Sequence, residues 1–259
     1  MSQVHFGPNI VRDGLILILD PANLKSSSPY SNRVDPSVSI VNHDYTEYDN
    51  TLVSNSVAEN GSGTSNLIIS PISFVSGSVT IQWSMRLDFS PDIVSIPTVN
   101  NWRCVIQDLG NTRIPFGVVL EETGAINFTM ALAKYPTSAK RHVNNQFTPI
   151  GPALVIVGVW NNYTFTYDKF TGLGAVYLNG KLITKGPLSD AGGTGGSLPD
   201  DGMVDFTGSI QISRSNPNTN PGGAGCLPAT LGPWLFYDRA LSEEEIQQNF
   251  FAYRDRYAS

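Results

Sequence analysis

Apolar and polar residues alternate with period two over much of this chain. Val79, Ile81, Trp83, Met85 and Leu87 are separated by Thr80, Gln82, Ser84 and Arg86. That spacing sends successive side chains to opposite faces and predicts a half-buried strand. Tyr163, Phe165 and Tyr167 alternate with Thr164, Thr166 and Asp168 in the same way. Other apolar stretches are short and nearly continuous: Leu15 to Leu19, Cys104 to Ile106, Phe116 to Leu120, Leu154 to Trp160 and Trp234 to Tyr237. Runs of this length bounded by turn residues predict strands, and Leu15 to Leu19 predicts one buried on both faces. Ile126 to Met130 and Ser209 to Ile212 predict two more. Between Tyr177 and Ile183, the pair Asn179-Gly180 predicts a two-residue hairpin turn, which needs positive φ at both central positions. Residues 25–65 are polar and predict loops holding two short strands. Residues 189–202 and 215–228 are rich in glycine and predict loops.

One segment breaks the period. After the strand ending at Tyr237, the residues from Asp238 to Phe250 have the spacing of a short capped helix. Ser242 and Glu245 stand three apart, as in a capping box, and Leu241 and Ile246 sit where a hydrophobic staple forms. Arg254 and Arg256 follow, where positive charge suits a helix C-terminus. The pattern therefore predicts an all-β chain: a two-sheet antiparallel β-sandwich closed by one short C-terminal helix. No repeat and no linker separates two cores, so residues 1–259 are expected to form one domain.

Charge narrows the function classes. Sixteen Lys and Arg against 22 Asp and Glu give a net charge of −6, which opposes non-specific binding to nucleic acid. Lys140-Arg141-His142 reads as a solvated loop. Charged residues make up 15% of the chain, below the usual ~25%, which fits an extracellular or virion surface rich in Asn, Ser and Thr. Cys104 and Cys226 are too few for a disulfide scaffold or a thiolate zinc site; two reduced, buried thiols are expected. No stretch approaches ~20 apolar residues, so no membrane insertion is expected. The first residues hold no basic segment followed by an apolar one, so synthesis in a cytoplasm without a secretory leader is expected. His5, His43 and His142 lack nucleophile-elbow or paired-histidine spacing, and Gly192 to Gly196 lacks the Lys-Ser/Thr of a phosphate loop.

Three groups of residues carry a resemblance that spans the chain. The first is Gly7-Pro8-Asn9-Ile10-Val11 with Asp13-Gly14-Leu15 and Leu19-Asp20-Pro21-Ala22-Asn23. The second is Trp160-Asn161-Asn162-Tyr163 through Thr166-Tyr167-Asp168, then Tyr177-Leu178-Asn179-Gly180. The third is Tyr237-Asp238-Arg239-Ala240-Leu241-Ser242 with Glu245-Ile246 and Asn249-Phe250. Together these resemble the concanavalin A-like lectin/glucanase superfamily, in its laminin-G-like branch, as found in virion proteins of tailed bacteriophages. Residues 30–55 depart from the pattern that many relatives carry after the opening, so no ligand site is read from them.

The resemblance implies a jelly-roll sandwich and a virion component: a capsid decoration, tail fibre or baseplate subunit, present in several copies among other virion proteins and meeting host-surface polysaccharide. The fold alone does not imply hydrolysis. Glucanases of the superfamily place paired carboxylates on one strand, and retaining cleavage needs them ~5 Å apart. Glu121-Glu122 runs into a turn and Glu243 to Glu245 opens a helix, so neither is such a pair and no enzyme is expected. Many laminin-G-like domains bind calcium through carboxylate and carbonyl oxygens. Asp20, Asp190, Asp200 and Asp201 are the candidate ligands, against the plainer reading of a turn cap and solvated loop acids, which leaves no cofactor. For sugar, which needs an aromatic platform beside amides, the candidates are Asn100, Asn101, Trp102, Tyr135 and His142. Trp102 fits a core position as well. Trp83, Trp160 and Trp234 lie in apolar runs and are expected in the core.

Overall fold

The computed structural model describes residues 9–21, 30–31, 34–43, 45–48, 51–54, 66–88, 103–108, 116–120, 126–130, 147–150, 158–188, 200, 202–203, 205–212 and 229–256. Strands are numbered along the chain. One sheet runs β14 (Lys181–Pro187), β13 (Leu173–Leu178), β12 (Trp160–Asp168), β7 (Val79–Leu87), β16 (Ala229–Tyr237), β5 (Thr51–Ser54), β4 (Tyr45–Tyr48), and β1 (Leu15–Leu19) joins it through β16. The other runs β11 (Phe147–Ile150), β10 (Ile126–Met130), β9 (Phe116–Leu120), β8 (Arg103–Asp108), β15 (Phe206–Ile212), β6 (Asn66–Phe74), β3 (Ser39–His43), β2 (Tyr30–Ser31). Every pairing is antiparallel. The helix α1 (Glu243–Arg254) closes the fold. The chain is an all-β, two-sheet antiparallel sandwich with one short C-terminal helix, as its pattern predicts.

The sheets meet through the side chains of alternate positions. Leu67, Ile69, Phe74, Ile210 and Ile212 of one pack with Ile81, Trp83, Phe165, Trp234 and Phe236 of the other in one buried cluster. At its centre the Trp83 ring stacks on Trp234 at 5.3 Å and 15° and on Tyr163 at 5.5 Å and 24°. β16 is bordered by β7 on one side. Its other side is shared: Thr230 and Leu231 pair with β5, and Trp234 to Tyr237 pair with β1. The register with β7 shifts between Leu231 and Trp234. Pro233 falls in that break, the place where an interior strand tolerates a residue that cannot donate to the ladder.

The structure differs from the period-two expectation at β7, which is buried on both faces. The cause is remote in sequence. A second buried cluster of Val11, Leu15, Tyr177, Leu235, Tyr237, Leu241 and Ile246 fastens α1 and the opening segment over the outer face of this sheet. Thr80, one of the polar residues beneath, is hydrogen-bonded on both sides. Leu241 donates its amide to Thr80 Oγ1 at 2.9 Å, and Thr80 Oγ1 donates to the Arg239 carbonyl at 2.9 Å. β1 is covered unevenly: Leu15, Leu17 and Leu19 are buried, while Ile16 and Ile18 are half-buried after a bulge near Leu15. Four strands, not two, arise between residues 30 and 54. Cys104 lies on β8; Cys226 and residues 151–157 fall outside the described residues.

The helix start matches its sequence signature. Ser242 Oγ accepts the Glu245 amide at 3.3 Å, and Glu245 Oε2 accepts the Ser242 amide at 2.9 Å. Arg239 grips the same carboxylate with two nitrogens at 2.9 and 2.6 Å, and its Nε lies 3.0 Å from Asp13 Oδ2. The Arg239 hydrogen bond, above all, holds the Glu245 carboxyl below its ordinary value near 4.5. A lowered folded value means this contribution to stability is complete above the ordinary value and is lost as pH falls through the folded one. Acid titration followed by thermal melting is expected to show a loss of stability below about pH 4.5 that is smaller in Glu245→Gln; an unchanged acid limb would contradict it.

Candidate functional site

Where the last turns of α1 overhang the start of β12, a cleft of about 210 Å³ opens, lined by Ser84, Trp160, Asn161, Asn162, Asn179, Phe250, Tyr253 and Arg254. Three elements build it. β7 and β12 are paired so that Ser84 lies opposite Asn162 and Arg86 opposite Trp160. The β13–β14 turn brings in Asn179, and the helix supplies the aromatic and cationic wall. Asn179 and Gly180 have φ of 53° and 73°, the two positive values a tight primed hairpin needs. Glycine at the second position also makes room: a Cβ on Gly180 would stand 3.0 Å from the Phe250 ring. The turn therefore sets how closely the helix approaches.

The floor is a fixed amide lattice. Asn162 donates through Nδ2 to Ser84 Oγ at 3.1 Å and accepts at Oδ1 from Gln82 Nε2 at 2.9 Å. Gln82 Nε2 also reaches the Ile246 carbonyl of the helix at 3.3 Å. Asn179 accepts the Asn162 amide at 2.8 Å and donates through Nδ2 to Asn161 Oδ1 at 3.0 Å. Ser84, Asn161 and Asn162 are buried. Asn161 also hydrogen-bonds the Tyr163 hydroxyl, although burial dominates and pushes that phenol well up. Beside this floor the half-buried Trp160 presents its indole, with the Arg86 guanidinium 5.6 Å from the ring centroid. Arg86 is itself held by Asp88 at 2.8 Å and by Thr230 at 3.3 Å, so the ring rests on a braced cation.

Chemically, the arrangement offers aromatic surface beside amide and hydroxyl groups whose positions are set before any ligand arrives. Apolar lining with a few convergent polar groups is the usual make-up of a small-molecule site. The volume lies below the ~300–1,000 Å³ of drug-sized pockets, which suits one ring-sized unit of a larger molecule.

Of the residues singled out from sequence, Asp20 and Asp200 are described, and neither lines this cleft. Asn100, Asn101, Trp102, Tyr135 and His142 lie outside the described residues, as do Asp190 and Asp201. Asp20, directly after β1, is buried and its carboxylate lies 2.7 Å from Arg256 Nη1. Asp200 is exposed, with φ of 70°, and its amide donates to the Lys169 carbonyl at 2.6 Å. Among the described residues no group of three or more acidic, histidine or cysteine side chains could hold a metal ion. Trp83 and Trp234 are core residues as expected, but Trp160 is only half-buried and forms the cleft wall. The signal that marks it stands next to it: an aromatic followed at once by Asn161 and Asn162.

No protein-family model matches the sequence, and neither does any curated protein. Solved structures do match. A Trypanosoma rangeli sialidase in complex with sialic acid is 13% identical, with 96% of this chain and 35% of that chain covered and a TM-score of 0.60. The binding domain of botulinum neurotoxin serotype D is 12% identical over 92% of this chain and 50% of that chain, with a TM-score of 0.57. The binding domain of Paraclostridial Mosquitocidal Protein 1 is 15% identical over 93% of this chain and 52% of that one, also at 0.57. The chain thus spans about a third of the sialidase and about half of the toxin chains it matches. At these identities the likeness is one of fold: a two-sheet β-sandwich.

Proposed function

We propose that this chain is a non-catalytic carbohydrate-binding module that attaches its carrier to a glycan surface, the carrier being a tailed-bacteriophage virion in which the chain is a decoration, fibre or baseplate component. The cleft under α1 carries the reading. A pyranose has apolar C–H faces and a rim of hydroxyls; Trp160, Phe250 and Tyr253 offer apolar surface, and the Ser84–Asn161–Asn162–Asn179 lattice offers hydrogen-bonding groups. The lining has no carboxylate, whereas most glycoside cleavage requires an acidic pair, so binding fits this site better than turnover. The sandwich fold shared with a sialidase and toxin binding domains supports the same reading, and the phage resemblance of the opening and closing motifs supports the carrier.

A glycan array probed with wild type and Trp160→Ala tests it. Wild type is expected to retain a subset of surface glycans and the variant to bind them about tenfold or more weakly, as loss of an aromatic anchor does, with folding checked by circular dichroism. Trp102→Ala run alongside separates this cleft from the site expected from sequence. Retention of no glycan, or binding indifferent to Trp160, defeats the proposal. The carrier is tested separately: the protein is expected in mass spectra of purified phage particles, and its absence removes the virion assignment.

A further inference from the structure

We infer, resting on the reading of this cleft as a glycan site, that the sugar unit it takes bears a carboxylate and that Arg254 binds it. Every polar group of the floor is neutral, so none of them can pair with a charge on a ligand. Asn162 uses its amide oxygen and nitrogen on Gln82 and Ser84, and Asn179 uses both of its own on Asn162 and Asn161. Arg254 is the one charged residue in the lining. It stands on the final turn of α1, half-exposed, with its guanidinium 5.1 Å from the Phe251 ring centroid. Among the described residues its one polar side-chain partner is Asp255, which meets Nε at 2.9 Å. Neither Nη group has a hydrogen-bond partner among the described residues, which leaves both to a ligand. Arg86, close by, differs: its Nε is taken by Asp88 and its Nη2 by Thr230, which suits it to bracing Trp160.

A guanidinium presents paired N–H donors that match both oxygens of a carboxylate, and such charge-assisted pairs are about twice as strong as neutral ones. A single cation at the mouth of a neutral cleft, on a chain of net charge −6, selects for one negative group on an otherwise neutral ligand. A uronic acid or comparable acidic pyranose has that chemistry: a ring face for Trp160, hydroxyls for the amides and one carboxylate for Arg254. The positive charge also suits the helix dipole, but a cation serving only the dipole confers no preference among sugars.

The test uses immobilised oligosaccharides in matched pairs, each acidic member beside its carboxyl-reduced counterpart. Wild type is expected to bind the acidic member of at least one pair about tenfold or more tightly, the scale of a hydrogen bond to a charged group, with the margin shrinking as salt is raised. Arg254→Gln is expected to lose that margin while binding the neutral member within about twofold of wild type, and Arg254→Lys to keep part of it. Equal binding of both members by wild type, or a margin that survives in Arg254→Gln, overturns the assignment of the carboxylate while leaving glycan binding intact. Failure of wild type to retain either member of any pair overturns the glycan reading itself.

Discussion

Trp83→Ala is expected to destabilise the protein by about 3–5 kcal/mol, the usual range for deleting a large buried aromatic. The indole is fully buried and stacks against Trp234 on one neighbouring strand and Tyr163 on the other. Removing it takes away apolar burial and leaves a cavity spanning β7, the strand through which β12 and β16 are joined. Collapse around that cavity is limited, because each neighbour is itself tied into the ladder. Denaturant unfolding should show a lower midpoint with an unchanged slope. A loss below about 1 kcal/mol, nearer the average for any point mutation, would show that the stack does not hold the sheet.

The second large effect is expected at Asn249, on the face of α1 turned to the sheet. Its Oδ1 accepts the Val11 amide at 2.8 Å, and its Nδ2 donates to the Tyr237 hydroxyl at 2.9 Å, which in turn donates to the Val11 carbonyl at 3.1 Å. All three residues are buried, and burial drives the Tyr237 phenol well up, against the opposing effect of the Asn249 bond. Asn249→Leu keeps about the same volume but strands the Val11 N–H without an acceptor. An unsatisfied buried donor costs about 1–3 kcal/mol, and a disrupted network costs more than its pairs. We expect a loss of about 2–4 kcal/mol by chemical unfolding, with amides of residues 10–12 exchanging faster with solvent. Unaltered exchange there would mean that the opening segment is held by apolar packing alone.

What was legible in the sequence is what local spacing controls. The Asn179-Gly180 turn, the Ser242–Glu245 capping box and the Leu241–Ile246 staple each depend on residues within a few positions, and each is found. The cover over β7 was not legible. Thr80, Gln82 and Ser84 look like a solvated face because their partners lie some 160 residues away, on the helix and the turn that leads into it, or across the sheet on β12. The sequence around Trp160 predicts a core position for a related reason. The apolar run before it suggests an interior, yet the residue sits at the start of its strand, where the helix overhang leaves room beside it. β6 carries no sequence prediction because Ser70, Pro71 and Ser73 interrupt its apolar pattern. The structure shows why they are tolerated: β3 pairs no further than Ser70, and the register with β15 shifts at the same point. No ladder bond is asked of Pro71, as strand prolines require. Of the candidate site, the amides were visible in the Trp160-Asn161-Asn162 and Asn179-Gly180 motifs; their convergence with Phe250 and Arg254 is a property of the packed helix.

β16 has a consequence for biosynthesis. It is the last strand of its sheet to leave the ribosome, yet it fills the gap between β7 on one side and β1 and β5 on the other. Until it arrives, those earlier strands wait with open hydrogen-bonding edges, and the indole of Trp83 has only half of its aromatic company. Productive assembly must therefore follow translation at least through Tyr237, with contacts of high sequence separation formed late. A nascent chain in that condition is prone to association with its neighbours, so holding chaperones and slow elongation should govern yield more than the equilibrium stability of the finished product.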